Sequence, residues 1–333
     1  MTDEQFANLS YKQQVQLFKT VALKAIEKYP IKLKKIKFIN HGENTTFKIT
    51  DSRHRRYLLR ICRKGYHTDK AVAEELSWLK NLSSKSFKVP TPQVSKQNKL
   101  FEKIKTSERP DGVNVVVFKW TEGKFLKKTI SEKQMQQLGQ LVADLHKHSK
   151  SKFTHRKYWT TEGLVGKRTK FGSLEHIVGA TKQQQKLISK KRKAVFTVIS
   201  KFEKENPERM GYIHADLHSG NFLFNKNGVT AIDFDDSGFG FFGYDIAIPL
   251  MSLDRFKSLS VKRKTFLKQV FLASYKKSRS WDKLDEEMLP YFILARRLLM
   301  LAWLNSRSDN PKLKTHLKKY LNDIVKKLDY PNP

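Results

Sequence analysis

The chain is poor in cysteine and in acid, and it has no long apolar run. Its one cysteine, Cys62, in 333 residues excludes an internal disulfide framework and suits a reducing compartment. The most apolar stretch, residues 291–304, is broken by Arg296 and Arg297 and falls short of the roughly 20 apolar residues that a membrane span needs. The opening MTDEQFANLS is acidic where a secretory leader is basic and then apolar, so a cytoplasmic location is expected. Internal repeats and low-complexity tracts are absent from the sequence, which excludes solenoid and tail-like organisation.

The scarcity of acid leaves 32 Asp+Glu against 66 Lys+Arg, a formal charge of +34. Such a field attracts polyanions, so peripheral contact with nucleic acid, anionic lipid or an acidic protein is one expectation. The lysines, however, are spread along the chain, mostly at helical spacing between apolar residues, as around Leu313, Leu317, Leu321 and Val325. That is the pattern of solvated helix faces. No zinc-ligand grouping, recognition-helix motif or stacking-aromatic motif accompanies them, so no specific nucleic-acid site is expected. What is plentiful is core material: 39% of residues are hydrophobic and 22 are Phe. With this length, two domains or one bilobal enzyme are expected.

Apolar residues at three- and four-residue spacing, Phe18, Val21, Ala22, Ala25, Ile26 and Tyr29, predict a helix over residues 6–29 that Pro30 ends. Residues 35–40, 45–50 and 56–62 are short, rich in β-branched and aromatic side chains, and separated by polar turns, which predicts a three-stranded meander. A helix over 68–82 follows, with Thr68 as its N-cap. Strands at 99–105 and 114–120 flank Pro110-Asp-Gly. Beyond Gly123 the pattern is mainly helical, with a helix capped by Ser131, another over 183–202, and helices from 261 to 328. Residues 149–181 show weak periodicity and read as a loop or insertion. A short hairpin is predicted at 222–225 and 229–233 over Asn227-Gly228. The whole reads as α+β, with domains at 1–119 and 120–333.

One stretch carries chemistry: His214-Ala-Asp216-Leu-His218-Ser-Gly-Asn221, then the hairpin, then Asp233-Phe-Asp235-Asp236. Phosphoryl transfer from a nucleoside triphosphate needs a carboxylate to orient the acceptor, and an amide oxygen plus a second carboxylate to hold Mg²⁺ against the phosphates. Asp216 and Asn221 lie five residues apart on one turn, and a tight hairpin brings Asp233 back beside them.

The blocks HADLHSGNFLF and AIDFDDSGFGFFGYDIA, with GENTTFKI, YLLRI and EELSWLKNL, resemble the aminoglycoside phosphotransferase, choline kinase and homoserine kinase-like family. Its members share the bilobal protein-kinase fold. The resemblance covers about residues 31–330 in element order, and residues 211–247 are its specific part. It implies a small antiparallel five-stranded first lobe with one helix, and a larger, mainly helical second lobe. It also implies that Asp216 is the catalytic carboxylate, that Asn221 and Asp233 are Mg²⁺ ligands, that Asp245 bonds to the catalytic loop and that His214 buttresses it. In the first lobe, Gly42, Asn44 and Thr45 would form the phosphate-facing turn. Arg60 stands where family members carry Lys or Arg, and would touch the α/β phosphates while Leu58 covers the adenine. Strand alternation puts Leu58, Arg60 and Cys62 on one face. The ion-pair partner of Arg60 would be Glu75, with Glu74 as the alternative. The run Phe118-Lys-Trp120 matches the hinge whose backbone reads the purine.

The activity so implied is Mg²⁺-dependent transfer of the γ-phosphate of ATP or GTP to an alcohol. The acceptor would be a small molecule, such as an aminoglycoside, choline or homoserine. Asp235, Asp236 and Asp254 either form an acidic mouth for an amine-bearing substrate or cap loops. Residues 238–244, Gly-Phe-Gly-Phe-Phe-Gly-Tyr, read as a packed turn. Three other readings use the same residues. One is a protein Ser/Thr kinase of this fold. Another is a pseudokinase or scaffold for an anionic partner, which Arg60 favours. The last is a hydrolase with a metal on His214, Asp216, His218, Asp233, Asp235 and Asp236, a reading that leaves Asn221 and the first-lobe strands without a role.

Overall fold

Ser10 opens the first helix, α1 (Tyr11–Ile26), through a capping box in which it and Gln13 satisfy each other's backbone amides. Phe18, Val21, Ala22, Ala25 and Ile26 make its buried face. The helix stops before residue 29 because Pro30 disfavours helical geometry in the residue preceding it. The structure is a computed structural model that describes residues 5, 6, 8–149, 155–308 and 316–328. Outside them lie residues 1–4 of the acidic opening, Ala7 of the expected first helix, 150–154 of the expected insertion, and 309–315 of the expected helical run with Leu313.

The chain clusters into two units, Met1–Gly123 with Thr230–Ile232, and Lys124–Val229 with Asp233–Pro333. The first change of unit therefore comes at Gly123, where residue 119 was expected. In the first unit, β1 (Leu33–His41), β2 (Thr45–Asp51), β3 (Arg56–Ile61), β4 (Glu102–Ile104) and β5 (Val113–Lys119) form an antiparallel sheet in the order β1-β2-β3-β5-β4. Side chains alternate across it. Phe47, Ile49, Tyr57, Leu59 and Ile61 join the α1 residues in one core. Thr46, Arg60 and Val116 are cross-strand partners, as are Leu58 and Phe118, so this set takes the other face. The helix α2 (Asp69–Ser84), capped by Thr68, buries Ala71, Val72, Glu75, Leu76, Trp78, Leu79 and Leu82. Strand β4 is shorter than the 99–105 expected because a turn takes its first residues: the Ser95 hydroxyl accepts from the amides of Gln97 and Lys99, and Asn98 adopts φ 59°.

The second unit carries α3 (Glu132–Lys147), β6 (Lys157–Trp159), α4 (Thr161–Val165), β7 (Arg168–Thr169), β8 (Gly172–Ser173) and α5 (Lys182–Glu205). It continues with β9 (Met210–Ile213), β10 (Phe222–Asn225), β12 (Gly238–Phe241), α6 (Phe242–Met251), α7 (Val261–Lys276), α8 (Lys283–Asn305) and α9 (Leu317–Val325). Strand β11 (Gly228–Ala231) pairs with β10 as the Asn-Gly turn predicts. Past residue 154, the segment expected as a loop or insertion forms β6, α4, β7 and β8. Its β6 runs parallel to β12, which pairs antiparallel with β9. The Gly-Phe-Gly-Phe run is thus a strand, and its glycines admit close neighbours: a Cβ on Gly238 would stand 2.2 Å from the Lys157 carbonyl oxygen.

Helices α3 and α7 pack closely at Gly139, where a Cβ would stand 2.4 Å from the carbonyl oxygen of Phe271. Gly139→Ala gains roughly 1 kcal/mol of helix propensity, but it must displace backbone, and overpacking costs about 1–3 kcal/mol. Net destabilisation in urea unfolding is expected, and a variant as stable as the parent would contradict this packing.

Candidate functional site

In the first unit, the alternation of β3 turns Arg60 away from the α1 core and toward α2. Its guanidinium meets Glu75 in a bidentate pair, Nη1 to Oε1 at 2.8 Å and Nη2 to Oε2 at 2.9 Å. The two residues are 4% and 0% exposed, whereas Glu74 is half-buried. A planar fork matched to a carboxylate is what Arg offers over Lys. The Phe118 ring lies 5.3 Å from the guanidinium carbon, opposite Leu58 across the strands. Trp120 carries Lys48 on its ring at 4.7 Å. The amides of Lys119 and Trp120 are donated to Thr91 and Arg56 carbonyls, so two donors expected for a purine are committed within the chain.

The turn between β1 and β2 closes through the Gly42 amide on the Asn44 carbonyl at 3.1 Å. The Asn44 side-chain oxygen accepts from the Arg63 amide at 3.0 Å. Thr45 differs from its expected orientation. It pairs with Ile61 on the core face, is buried, and its hydroxyl bonds His41 Nδ1 at 2.7 Å. Thr46 is the hydroxyl on the face of Arg60.

In the second unit, residues 214–221 leave β9 and fold back on themselves before β10. The amide of His218 donates to the Asp216 carbonyl at 2.8 Å, and that of Asn221 to the His218 carbonyl at 2.7 Å. The Asn221 Nδ2 donates to the Asp216 carbonyl at 2.9 Å and to its Oδ2 at 3.1 Å. His214, fully buried with its ring 4.4 Å from that of Phe234, accepts from the Asp216 amide at 3.3 Å. Ala215 and Asp233 both adopt left-handed φ, 65° and 63°, a conformation uncommon outside Gly and more accessible to Asp than to Ala.

Asp245, on α6, clamps this loop. Its Oδ1 accepts from the Ala215 amide at 2.7 Å and its Oδ2 from the His214 amide at 3.1 Å. From α3, His146 Nε2 reaches Oδ2 at 2.9 Å, while Nδ1 meets the Tyr275 hydroxyl of α7 at 2.9 Å. Burial works against a charge on Asp245, but the hydrogen bonds from His146 and the loop hold its carboxyl below the usual range. Burial pushes the His146 imidazole down against the pull of Asp245. A neutral ring with Nε2–H toward Asp245 and Nδ1 accepting from Tyr275 satisfies every partner.

The loop after Asp233 is held by the segment that sequence periodicity left unassigned. Buried Arg156 donates to the carbonyls of Phe234 at 3.2 Å, Asp235 at 2.5 Å and Ser237 at 2.8 Å. Lys157 meets Asp236 at 2.5 Å, and Trp159 Nε1 donates to the Asp236 carbonyl at 2.9 Å. Burial lowers the Lys157 ammonium, and Asp236 opposes that shift. An open acidic mouth is therefore not what this loop presents: Asp235 is 7% exposed and Asp236 faces Lys157; Asp254, in the separate turn Ser252–Arg255, pairs with Lys327 at 3.1 Å.

The hydrolase arrangement fares no better in geometry. Among the described residues, no three His, Cys, Asp or Glu side chains converge as a metal site. His214 Nδ1 accepts the Asp216 amide, and His218 Nδ1 accepts that of Gly220 at 2.9 Å. The donor set fits Mg²⁺ better. Donation of Nδ2 to Asp216 leaves the Asn221 amide oxygen as an acceptor, and Mg²⁺ is a hard cation that takes oxygen ligands, ordinarily one or two carboxylates plus waters and substrate phosphates.

Arg296 is a site residue that motif reading missed. From α8 it donates through Nη2 to Asp216 Oδ1, and through Nη1 to the Tyr244 hydroxyl at 3.1 Å. Burial opposes its charge, but Tyr244 and Asp216 outweigh that and raise its pKa; burial pushes the Tyr244 hydroxyl up to about 12. The signal for Arg296 is a cation inside an otherwise apolar helical run. A hollow of about 530 Å³, lined in part by Phe125, Lys127, Gly220 and Arg255, adjoins the same loop. No helix among the described residues is long and apolar enough to cross a membrane.

Comparison with known proteins bears on this geometry. A model of the phosphotransferase enzyme family matches residues 35–286. The chain is 23% identical over 309 residues to the amicoumacin kinase of Bacillus subtilis strain 168, covering 87% of this chain and 85% of that one. The structure of a microcompartment-associated aminopropanol kinase is similar at a TM-score of 0.79 and 26% identity, over 92% of this chain and 95% of that one. An amicoumacin kinase solved in complex with AMP-PNP, Ca²⁺ and Ami shares the fold at a TM-score of 0.74 and 20% identity, over 98% and 96%. The fold is α+β and kinase-like, with the five-stranded antiparallel sheet N-terminal to a helical region.

Proposed function

The chain belongs to the phosphotransferase enzyme family, and we propose that it moves the γ-phosphate of Mg·ATP to a hydroxyl of a small molecule. The observation that carries this reading is the loop clamped by Asp245, in which Asp216 and Asn221 are hydrogen-bonded to each other. A chain released from catalysis has no need for a buried carboxylate held by two amides to keep such a loop in shape. Asp216 would receive the acceptor hydroxyl and point it at the γ-phosphorus. Little proton transfer is asked of it, since phosphoryl transfer runs mainly on positioning and charge neutralisation.

Asn221 and Asp233 would hold Mg²⁺, which when bound neutralises the β/γ phosphates. Arg60, fixed by Glu75, would contact the α/β phosphates, while Leu58 and Phe118 offer an apolar face to the adenine. Gly42 and Asn44 would line the phosphate turn, with Thr46 supplying the hydroxyl there. Asp233→Asn keeps a residue that tolerates positive φ and removes the charge. It is expected to lose both Mg·ATP binding and turnover, the latter by about 10²-fold or more, the scale of losing one preorganised electrostatic contact. Equal ATP binding in the variant and the parent sinks the Mg²⁺ assignment.

The named relatives act on aminopropanol and amicoumacin, which makes amino alcohols and hydroxyl-bearing antibiotics the first acceptors to test. A screen would follow ADP release from Mg·ATP with 1-amino-2-propanol, amicoumacin, an aminoglycoside, choline, homoserine and a basic protein. ADP formation in step with one small alcohol, abolished by EDTA, is expected. ADP release with the protein alone would turn the reading to a Ser/Thr kinase, and release with none would turn it to a scaffold.

A further inference from the structure

We propose that Arg296 is a positioning residue that fixes which oxygen of Asp216 faces the acceptor. This rests on the phosphotransferase reading above. A carboxylate is close to two-fold about its last torsion, and that torsion is soft. Here both oxygens are taken up. Arg296 Nη2 holds Oδ1, and Asn221 Nδ2 holds Oδ2 at 3.1 Å. Nε2 of the His218 imidazole stands farther off, 3.6 Å from Oδ2. Arg296 binds through an ionised donor and Asn221 through a neutral one, so the stronger bond is at Oδ1. Oδ2, with one neutral donor on it, keeps the capacity to accept an acceptor hydroxyl.

Arg296 is itself held from behind. Its side chain is 13% exposed, against 22% for Asp216. Nη1 rests on the Tyr244 hydroxyl at 3.1 Å. The Tyr244 ring stacks on that of Trp159 at 6.0 Å and 18°, and Trp159 Nε1 donates to the carbonyl of Asp236 at 2.9 Å. The guanidinium thus links the Asp216 loop to the loop that follows Asp233. Its next neighbour in sequence, Arg297, donates instead to the Lys327 carbonyl and ties α8 to the end of α9.

The test compares Arg296→Ala, Arg296→Lys, Tyr244→Phe and Arg297→Ala, reading kcat, KM for ATP and melting temperature. Water serves as acceptor, and so does any alcohol the screen identifies. Arg296→Ala is expected to lose about 10²-fold in kcat, the scale of a misplaced catalytic group, with KM for ATP within about twofold. Guanidinium chloride at non-denaturing concentration should restore part of that kcat, and Lys should restore part of it by reaching one of the two partners. Arg297→Ala should lose melting temperature without guanidinium rescue of kcat. Should Arg296→Ala fail to fold, Tyr244→Phe remains, with a severalfold lower kcat at unchanged KM expected. Parental kcat in either folded variant overturns the role, as does a loss in Arg296→Ala that guanidinium leaves unrestored. A parent chain that releases ADP with neither water nor any alcohol overturns the phosphotransferase reading and this one together.

Discussion

Asp216→Asn is expected to lower kcat by about 10²–10⁴-fold, the range for removing a positioned acid–base group, while ATP still binds. The expectation separates two jobs that the loop performs side by side. The Asp216 carbonyl accepts the Asn221 side chain at 2.9 Å and the His218 amide at 2.8 Å, and neither bond involves the carboxylate. The loop therefore keeps its backbone shape in the Asn variant, and Asn221 keeps one of its two anchors. What is lost is the anion that receives the acceptor hydroxyl and the partner of Arg296. Substitution leaves that guanidinium in place without its counter-charge, so some loss of stability accompanies the loss of rate. Single-turnover measurement with saturating Mg·ATP separates the two. A variant with near-parental kcat would show that Asp216 is not the group that orients the acceptor.

Glu75→Ala is expected to cost about 3–5 kcal/mol of stability, the scale for removing one partner of a buried ion pair. The pair as a whole need not stabilise the fold, because desolvating two charges offsets most of their attraction. The cost arises from what remains, a guanidinium 4% exposed that has lost its bidentate bonds to Glu75. Glu74→Ala, at the half-buried neighbour, is expected to cost less than about 1 kcal/mol. Equal losses in chemical denaturation would remove the distinction between the two. Nucleotide affinity should fall in Glu75→Ala and hold in Glu74→Ala, since Glu75 holds the cation that would meet the α/β phosphates.

Much of this arrangement was legible in the chain, and the parts that were not share a cause. Alternation over residues 56–62 placed Arg60 opposite the core, and the helical register of α2 left one of two adjacent acids facing it. That Asp216 and Asn221 share one turn was also legible, because the bonds between them are local. Thr45 alternates with Phe47 and Ile49 along β2 and so takes their core face, which grouping it with residues 42–44 as one turn does not show. Arg296 stands 80 residues from Asp216, on a helix whose pattern speaks only of burial. Arg156 and Lys157 lie in a segment of weak periodicity, about 80 residues from the carbonyls and carboxylate they hold, separations of 78 to 81. Those side chains gain meaning only once β6 lies beside β12, and no local pattern encodes a parallel pairing across that distance.

The electrostatic picture also narrows the charge excess. Around Asp216 and the loop after Asp233, three cations are individually engaged: Arg296 on Asp216, Lys157 on Asp236 and Arg156 on backbone carbonyls. They serve as fixtures of the loops, which is a different role from drawing in a polyanion.

Binding of Mg·ATP by this chain can be followed by thermal unfolding with and without nucleotide. A ligand at a hundredfold excess over its Kd adds about 2.7 kcal/mol to the folded state. A higher melting temperature is expected with millimolar Mg·ATP, retained in Asp216→Asn and abolished by EDTA or in Asp233→Asn. An unchanged melting temperature in the parent chain at millimolar Mg·ATP would contradict that binding.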